Sequence, residues 1–541
     1  YVLFYNGEIY NREELRQNLK KYAFKWRTTG DTEILLNGYI ALGEEILHHL
    51  RGMFAFVVID QHTNKAFIAR DQLGIKPLYY MERQDCIYFA SEIKAFQYVD
   101  RFSLNEDTIY EQIKFRYVAG KNTIYKDIYR LDAGEFCRIE KGKIRFKHYY
   151  HLKHSFFQKS DLDPQKIKQI VKQSIHAHIL SDVGYMIQLS GGVDSGYISA
   201  VLANDFDQSP SCVSAGIDEK TFDESAYQDI VVKQFNLNHQ RYVYGAKDLA
   251  QNIEKFTYYM DMPVVHTGCF FLNLLCQKIS ANHKVILTGE GADEAFGGYQ
   301  WMDLPKKYLL AKKLCQMGVG SNWIPPFSSK LKTLKKMMDT PIIEMGQLAL
   351  DHDVVAQLIP DASQNLKYRH DLMDERLSLI DNHFYHIQKT YLQSLLERQD
   401  RVSMACGVEV RVPFCNIDIF EMMNGVPAFQ KIVDHRLKAV LKNLALEYFK
   451  PRFTDRRKIG LTLPLDDWLS KGAPLTDFFD LLTDQNFKQR GLFNAGYVSQ
   501  KIDRHLKGQE KNGKLLMNLI NFECWYRCFI KGYGLTSPSS S

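Results

Sequence analysis

The segment Leu189-Ser190-Gly191-Gly192-Val193-Asp194-Ser195 stands between a short apolar run and a helix-forming stretch. Two adjacent glycines let the backbone approach an anion closely, the helix that follows offers unpaired N–H groups and a positive dipole end, and two serines add hydroxyl donors. Such a loop can cradle a pyrophosphate. It lacks the lysine of a Walker A loop, so it suits holding the β and γ phosphates as a leaving group rather than passing on the γ phosphate. Asp194 inside an anion site would repel phosphate unless a cation stood between them, which argues for Mg²⁺. A second cluster, Thr288-Gly289-Glu290-Gly291-Ala292-Asp293-Glu294, also follows a short apolar run. Three acids in five positions repel one another and make sense around a metal or a protonated amine. The plain alternatives are a glycine-rich turn without a ligand and a solvated acidic turn.

Both loops need strands behind them. Over 1–150, β-type runs at 53–60, 66–70, 78–81 and 86–90 alternate with turn residues, which predicts antiparallel sheet. Helices are expected at 12–20 and 32–42, the second with Asp31 as a candidate cap, giving a layered α+β domain. Composition changes between 148 and 164. There Asp163-Pro164, followed by Ile167, Ile170, Val171, Ser174, Ile175 and Ile179 at helical spacing, marks a new start. Strand candidates at 185–189, 212–217 and 285–288 then alternate with helical segments at 196–203, 224–235 and 272–279, the pattern of βαβ units and a parallel sheet. From about 304 the chain reads as mainly helical, and 536–541 as a disordered tail. The expectation is α/β overall: an antiparallel-sheet α+β domain over 1–150, a linker over 151–163, and a parallel-sheet α/β domain over 164–535 with a largely helical C-terminal part. Ligands of open parallel sheets bind beyond the carboxyl ends of the strands, so the two loops should face one crevice.

Composition narrows the classes of function. With 541 residues, 45% hydrophobic and 24% charged, the chain is neither disordered nor fibrous as a whole. A formal charge of +6, from 69 basic and 63 acidic residues, does not imply a nucleic-acid partner. No apolar run reaches the roughly 18 residues that span a bilayer, and no secretory leader pattern is visible. Cysteines at 86, 137, 212, 269, 276, 315, 406, 415, 524 and 528 form no CxxC pair and have no histidine at zinc-finger spacing, which fits reduced thiols in the cytoplasm. Cys524 and Cys528 read as helix packing rather than metal ligands.

SGGVDS at 190–195, TGEGADEAFGGY at 288–299, RQDRVSMACGVEVRVPF at 398–414, and upstream NGEIYN at 6–11 with RDQLGIKPLYY at 70–80, resemble the glutamine-hydrolysing asparagine synthetase family. The similarity covers nearly the whole chain, with five motifs in the family's order. It implies a class II glutamine amidotransferase domain followed by an ATP-pyrophosphatase-type synthetase domain. In such enzymes a substrate carboxylate attacks the α phosphate of ATP to give an acyl-adenylate and pyrophosphate, and ammonia then displaces AMP. The resemblance implies that Leu189, Ser190, Gly191, Gly192, Val193, Asp194 and Ser195 hold ATP. It places Ala215 and Gly216 on the adenine side, Thr288 and Gly289 at the nucleotide, and Asp194 and Asp293 on Mg²⁺. Glu290 matches the position associated with adenylate formation and ammonia attack, and Lys458 that of a lysine stabilising developing negative charge. Asn6, Gly7 and Glu8 match the family's glutamine loop, with Asp31 on the glutamine α-ammonium. Expected partners are aspartate or another carboxylate, and glutamine or ammonia, with no nucleic acid or membrane; homodimerisation stays open.

Two departures stand out. The family's glutaminase nucleophile is an N-terminal cysteine several dozen residues ahead of NGEIYN, and the first cysteine here is Cys86. The amidotransferase domain is therefore expected to be truncated, either because the sequence is a fragment of a longer gene product, which is the favoured reading, or because the chain is naturally shortened and uses free ammonia; glutaminase activity is doubtful in the chain as written. Asn416 stands where the family commonly has aspartate, keeping a helix cap but losing an ion pair. Two alternatives remain: the same adenylation chemistry used to amidate another carboxylate, such as a sugar acid or peptide, or to close a lactam internally, and a nonenzymatic nucleotide-binding scaffold. Retention of Asp194, Glu290, Asp293 and Lys458 speaks against the scaffold.

Overall fold

A computed structural model describes residues 1–532 apart from 220–222, 265, 267, 304, 321–330, 332–334, 336, 337, 339, 345, 346 and 457–462. Lys458 and the tail 536–541 lie outside the described residues.

In the first 150 residues, runs rich in β-branched and aromatic side chains form β1 (Val2–Ile9), β2 (Gly52–Asp60), β3 (Lys65–Arg70), β4 (Tyr79–Arg83), β5 (Cys86–Ala90), β6 (Ile128–Arg130), β7 (Glu135–Glu140) and β8 (Lys143–His148). They pair antiparallel as a five-stranded sheet, β1-β2-β3-β7-β8, and a three-stranded sheet, β5-β4-β6. Helices Arg12–Asn18 and Asp31–Leu42 press Leu15, Ile34 and Leu35 onto Phe54, Phe56 and Phe67 of the larger sheet. Its other face packs Ala55, Ile68 and Cys137 against Leu78 and Leu131, which flank the smaller sheet. The layered α+β arrangement is the one the sequence predicts. One local expectation fails: Asp31 does not cap its helix. Gly30 is the N-cap, and Asp31 Oδ2 instead accepts from Tyr5 Oη at 2.8 Å and the Ile9 amide at 3.1 Å. A carboxylate in the first turn still favours the helix dipole, but here it ties the helix to β1.

Beyond the 3₁₀ turn Leu152–Phe157, the helix Pro164–His178 opens with Asp163 accepting from the amides of Gln165 and Lys166. This is a side-chain cap followed by proline at the first helical position. Five parallel strands follow: β9 (Tyr185–Gln188), β10 (Ser211–Ile217), β11 (Asn238–Tyr244), β12 (Val285–Leu287) and β13 (Glu409–Arg411). Three were legible in the sequence. β11 is polar on its outer face because it forms an edge, and β13 has three residues, too few for a periodicity to register. The sheet order is β11-β10-β9-β12-β13, so the chain walks outward from β9 to β11 and then returns to the other side of β9 with β12. The crevice between the carboxyl ends of β9 and β12 is the topological switch point, where open α/β sheets bind ligands.

Between and after these strands the chain is mainly helical, and no described helix is long and apolar enough to cross a membrane. A continuous hydrophobic core runs from Met53, Tyr79 and Ile113 to Leu287, Val402 and Trp525, joining the two halves. Buried polar contacts reinforce the join. Lys76 Nζ meets Asp400 at 2.8 Å, Arg130 meets Glu397 at 3.0 Å, and Trp525 Nε1 donates to Tyr125 Oη at 2.6 Å.

Candidate active site

β9 delivers the first turn. Leu189, buried just past the strand, donates its amide to the Val213 carbonyl at 2.9 Å and accepts at its own carbonyl from Ser214 Oγ at 2.5 Å, which fixes the start of the loop. Ser190 and Ser195 close it with hydroxyl oxygens 3.0 Å apart, and the Ser190 amide donates to Ser195 Oγ at 3.1 Å. The helix Val193–Asp205 starts after Gly192 with no side-chain cap, leaving first-turn N–H groups available to an anion. Ala215 and Gly216, half-buried near the end of β10, border the same end of the sheet.

β12 delivers the second turn, with the Thr288 amide donating to the Arg411 carbonyl at 3.0 Å and Thr288 Oγ1 donating to Gln399 at 3.2 Å. The two turns touch: a Cβ added at Gly289 would stand 2.8 Å from Asp194 Cβ and 3.3 Å from the Ser195 amide nitrogen, so only glycine permits the approach.

Lys438 joins them. Its Nζ lies 2.7 Å from Asp194 Oδ1 and 2.8 Å from Asp293 Oδ1, and its side chain is almost wholly buried. The residue precedes the helix Ala439–Ala445 in a left-handed conformation (φ +52°), with its amide bonded to the Gly297 carbonyl at 3.0 Å. A Cβ at Gly298 would fall 1.7 Å from Asp293 Oδ1 and 2.0 Å from Lys438 Cε, so the pair is seated directly on that backbone. A cation at a helix N-terminus opposes the helix dipole, and two carboxylates offset that cost.

Glu290 Oε1 lies 3.4 Å from the partly buried Arg398 guanidinium. Glu294, fully buried, accepts from Tyr299 Oη at 2.5 Å. Burial, with Asp293 and Glu290 close by, pushes its carboxyl up to about 8, so it keeps a proton at neutral pH. The acidic cluster thus divides into Glu290 paired with arginine, Asp293 bridged by lysine, and Glu294 neutral.

Asn6, Gly7 and Glu8 lie inside β1 rather than in a turn. Asn6 Nδ2 donates to Ser91 Oγ at 3.2 Å, and Glu8 Oε2 meets Arg411 at 2.9 Å. Burial pushes the Glu8 carboxyl up to about 7, and the Arg411 guanidinium pulls against it. Arg411 in turn accepts from Thr288, so one residue connects β1 of the first sheet to the second turn. A cleft runs along this boundary, lined by Tyr10, Asp71 and Leu73 on one side and His178, Cys415 and Asn416 on the other. Cys415 Sγ approaches the Glu290 carbonyl at 3.7 Å. Asn416 caps the helix Ile417–Gly425 through the Asp418 amide at 2.8 Å, the role the sequence predicts for it.

The sequence reading gave no role to Lys438, Arg398 or Arg456. Arg456 donates to the Gly191 carbonyl at 2.7 Å and to Glu224 at 2.8 Å, holding the chain against the first turn just before 457–462. The available signal for Lys438 was a basic cluster, His435-Arg436-Leu437-Lys438, directly ahead of an apolar helical run, where charge should be negative.

The family model "Asparagine synthase" matches residues 166–527, and "Glutamine amidotransferase domain" matches residues 1–150. Asparagine synthetase [glutamine-hydrolyzing] 1 of Bacillus subtilis is 26% identical, over 97% of this chain and 85% of that protein. Asparagine synthetase [glutamine-hydrolyzing] 3 of the same organism is 29% identical, over 83% and 73%. Amidase chry2 of Gibberella zeae is 24% identical, over 93% and 83%. With two facing turns at the switch point of a parallel sheet and two-thirds of its length in the matched region, the chain belongs to the asparagine synthase family of amidating carbon–nitrogen ligases, with a glutamine amidotransferase domain ahead of the synthase domain.

Proposed function

We propose that the chain, divided into domains at 1–150 and 164–535, adenylates the side-chain carboxylate of aspartate with ATP and amidates it with ammonia, which these residues can draw from glutamine only when an N-terminal cysteine nucleophile is supplied to them. The observation that carries this reading is the Lys438 ammonium held between Asp194 and Asp293, one carboxylate from each turn. An internal ammonium at that point is a stand-in for a cation. Two carboxylates are also the share a protein usually gives to Mg²⁺, which takes its remaining ligands from phosphates and water. A donor set of two carboxylates fits a metal that arrives with its nucleotide. Bound there, Mg²⁺ would neutralise charge on the triphosphate.

The chain's own groups account for the rest. The uncapped helix N-terminus and the hydroxyls of Ser190 and Ser195 receive the β and γ phosphates. Lys438, released from the carboxylates, follows the negative charge that leaves with pyrophosphate. The acceptor carboxylate oxygen bonds to the α phosphorus as the α–β bridge breaks. Ammonia nitrogen then bonds to the acyl carbon, AMP departs with the bridging oxygen, and a proton passes from nitrogen to Glu290, which Arg398 keeps in place. Lys458 belongs to this scheme by sequence alone. We assign the glutamine end to Asn6, Gly7, Glu8 and Asp31 on the β1 side, and the cleft between Asp71 and Cys415, beside the Glu290 turn, as the way for ammonia.

The test is nucleotide analysis with ammonium and a panel of carboxylates. Aspartate-dependent AMP and pyrophosphate with asparagine as product supports the reading. AMP formed only with another acceptor moves the substrate within the same chemistry, and ADP or no turnover overturns it.

A further inference from the structure

Arg116 ends the helix Ile109–Phe115 in a left-handed conformation (φ +70°), fixed by Gln112 donating to its carbonyl at 2.7 Å. It lines a pocket between the two domains, whose far wall includes Gln393, Ser394 and Glu397. The Nε is inaccessible to solvent and has no hydrogen-bond partner, and among the described residues no carboxylate lies within ion-pair distance of the guanidinium. Arg130, in the same cavity wall, is satisfied by Glu397 at 3.0 Å. Arg116 has no such counterpart.

One charged neighbour is unfavourable. Arg398, one turn along from Ser394 on the helix Tyr391–Met404, is close enough that each guanidinium repels the other, and its Nε is likewise orphaned. His266 and Tyr391, hydrogen-bonded at 2.8 Å, lie beside both; burial and the two arginines hold His266 well below the usual imidazole range, so it adds no positive charge. Arg398 has Glu290 as its partner, whereas among the described residues Arg116 has no carboxylate within ion-pair distance. A guanidinium N–H shut off from water with no acceptor is costly, and folds keep such a group where a ligand supplies the partner.

We infer that Arg116, contributed by the amidotransferase domain, binds a second carboxylate of the acceptor, so that the synthase site is completed across the domain boundary and selects dicarboxylates. This rests on the adenylation reading above and extends it. With Arg398 and Glu290 at the reacting end and Arg116 in the cavity beyond, an acceptor with two carboxylates a few bonds apart meets a cation at each end.

The experiment follows AMP release with saturating Mg·ATP and ammonium for aspartate, aspartate α-amide and β-alanine, in wild type, Arg116→Ala and Arg116→Lys. Wild type should use aspartate and discriminate strongly against the two acceptors that lack the second carboxylate. Arg116→Ala should raise the aspartate KM on the order of 10- to 100-fold, leave the ATP KM within about twofold, and abolish the discrimination. Guanidinium ion should restore part of the loss, and Arg116→Lys should fall between. An unchanged aspartate KM, an equal loss with the α-amide, or a change confined to ATP overturns the inference while leaving adenylation standing. Absence of AMP from wild type with every acceptor instead overturns the adenylation reading, and this inference with it.

Discussion

Lys438 and Asp194 stand 244 positions apart in the chain and 2.7 Å apart in the fold, one from the start of a late helix and the other from the loop after β9. Removing the amine should expose two adjacent carboxylates to each other. Lys438→Met is expected to lower AMP formation by roughly 10²-fold or more. It should also make Mg²⁺ alone raise the melting temperature more than it does for wild type. Equal Mg²⁺ responses would show that the lysine does not occupy a cation's place.

Gly298 offers a subtler probe of the same pair. A methyl group there would occupy the space of Asp293 Oδ1 and Lys438 Cε. Gly298→Ala should therefore cost at least about tenfold in nucleotide-dependent turnover while leaving the melting temperature within a few degrees, since the distortion falls on side chains rather than on the core. Turnover near wild type would mean that the pair can move aside without consequence.

Arg398 and Glu290 separate base from scaffold. Glu290→Ala should reduce amide formation on the order of 10²- to 10³-fold. Arg398→Ala leaves Glu290 unpartnered at the site and should lower amide formation as well, with partial rescue by guanidinium. Product measured by amino-acid analysis alongside AMP distinguishes loss of amidation from loss of adenylation.

At the domain join, Lys76 is buried against Asp400. Breaking a buried pair from one side strands a charge and typically costs about 3–5 kcal/mol. Lys76→Met should accordingly lower stability to urea by that order, and Lys76→Met combined with Asp400→Asn should recover much of it. An additive double variant would show that the two groups do not act together.

Lys431 gives a pH dependence with a definite sign. It is fully buried, donates to the Met423 carbonyl at 2.9 Å and lies 4.0 Å over the Phe384 ring, and burial pulls its ammonium down to about 7. An unfolded lysine titrates near ~10.4, so between about 7 and ~10.4 the unfolded chain binds more protons and stability rises with pH. Lys431→Met lacks that gain. Its melting temperature relative to wild type should hold level below about pH 7 and fall from there to pH 10, and parallel profiles would refute the assignment.

The sequence by itself determined the parts whose physics is local. The pairs of glycines and the acids beside them identified both turns. Alternating apolar runs located β9, β10 and β12, and Asp163-Pro164 and Asn416 announced helix starts that the structure bears out. Tertiary structure decided everything that depends on charges meeting from distant segments. It brought Lys438 onto Asp194 and Asp293, placed Arg398 beside Glu290, and turned Asp31 away from its own helix toward Tyr5. It also left Arg116 facing a cavity at the domain boundary without a counter-charge. A lone lysine or arginine has no spacing signature, because its role is set by which carboxylate the folded chain brings within a few ångströms, and no neighbouring residue in the sequence encodes that distance.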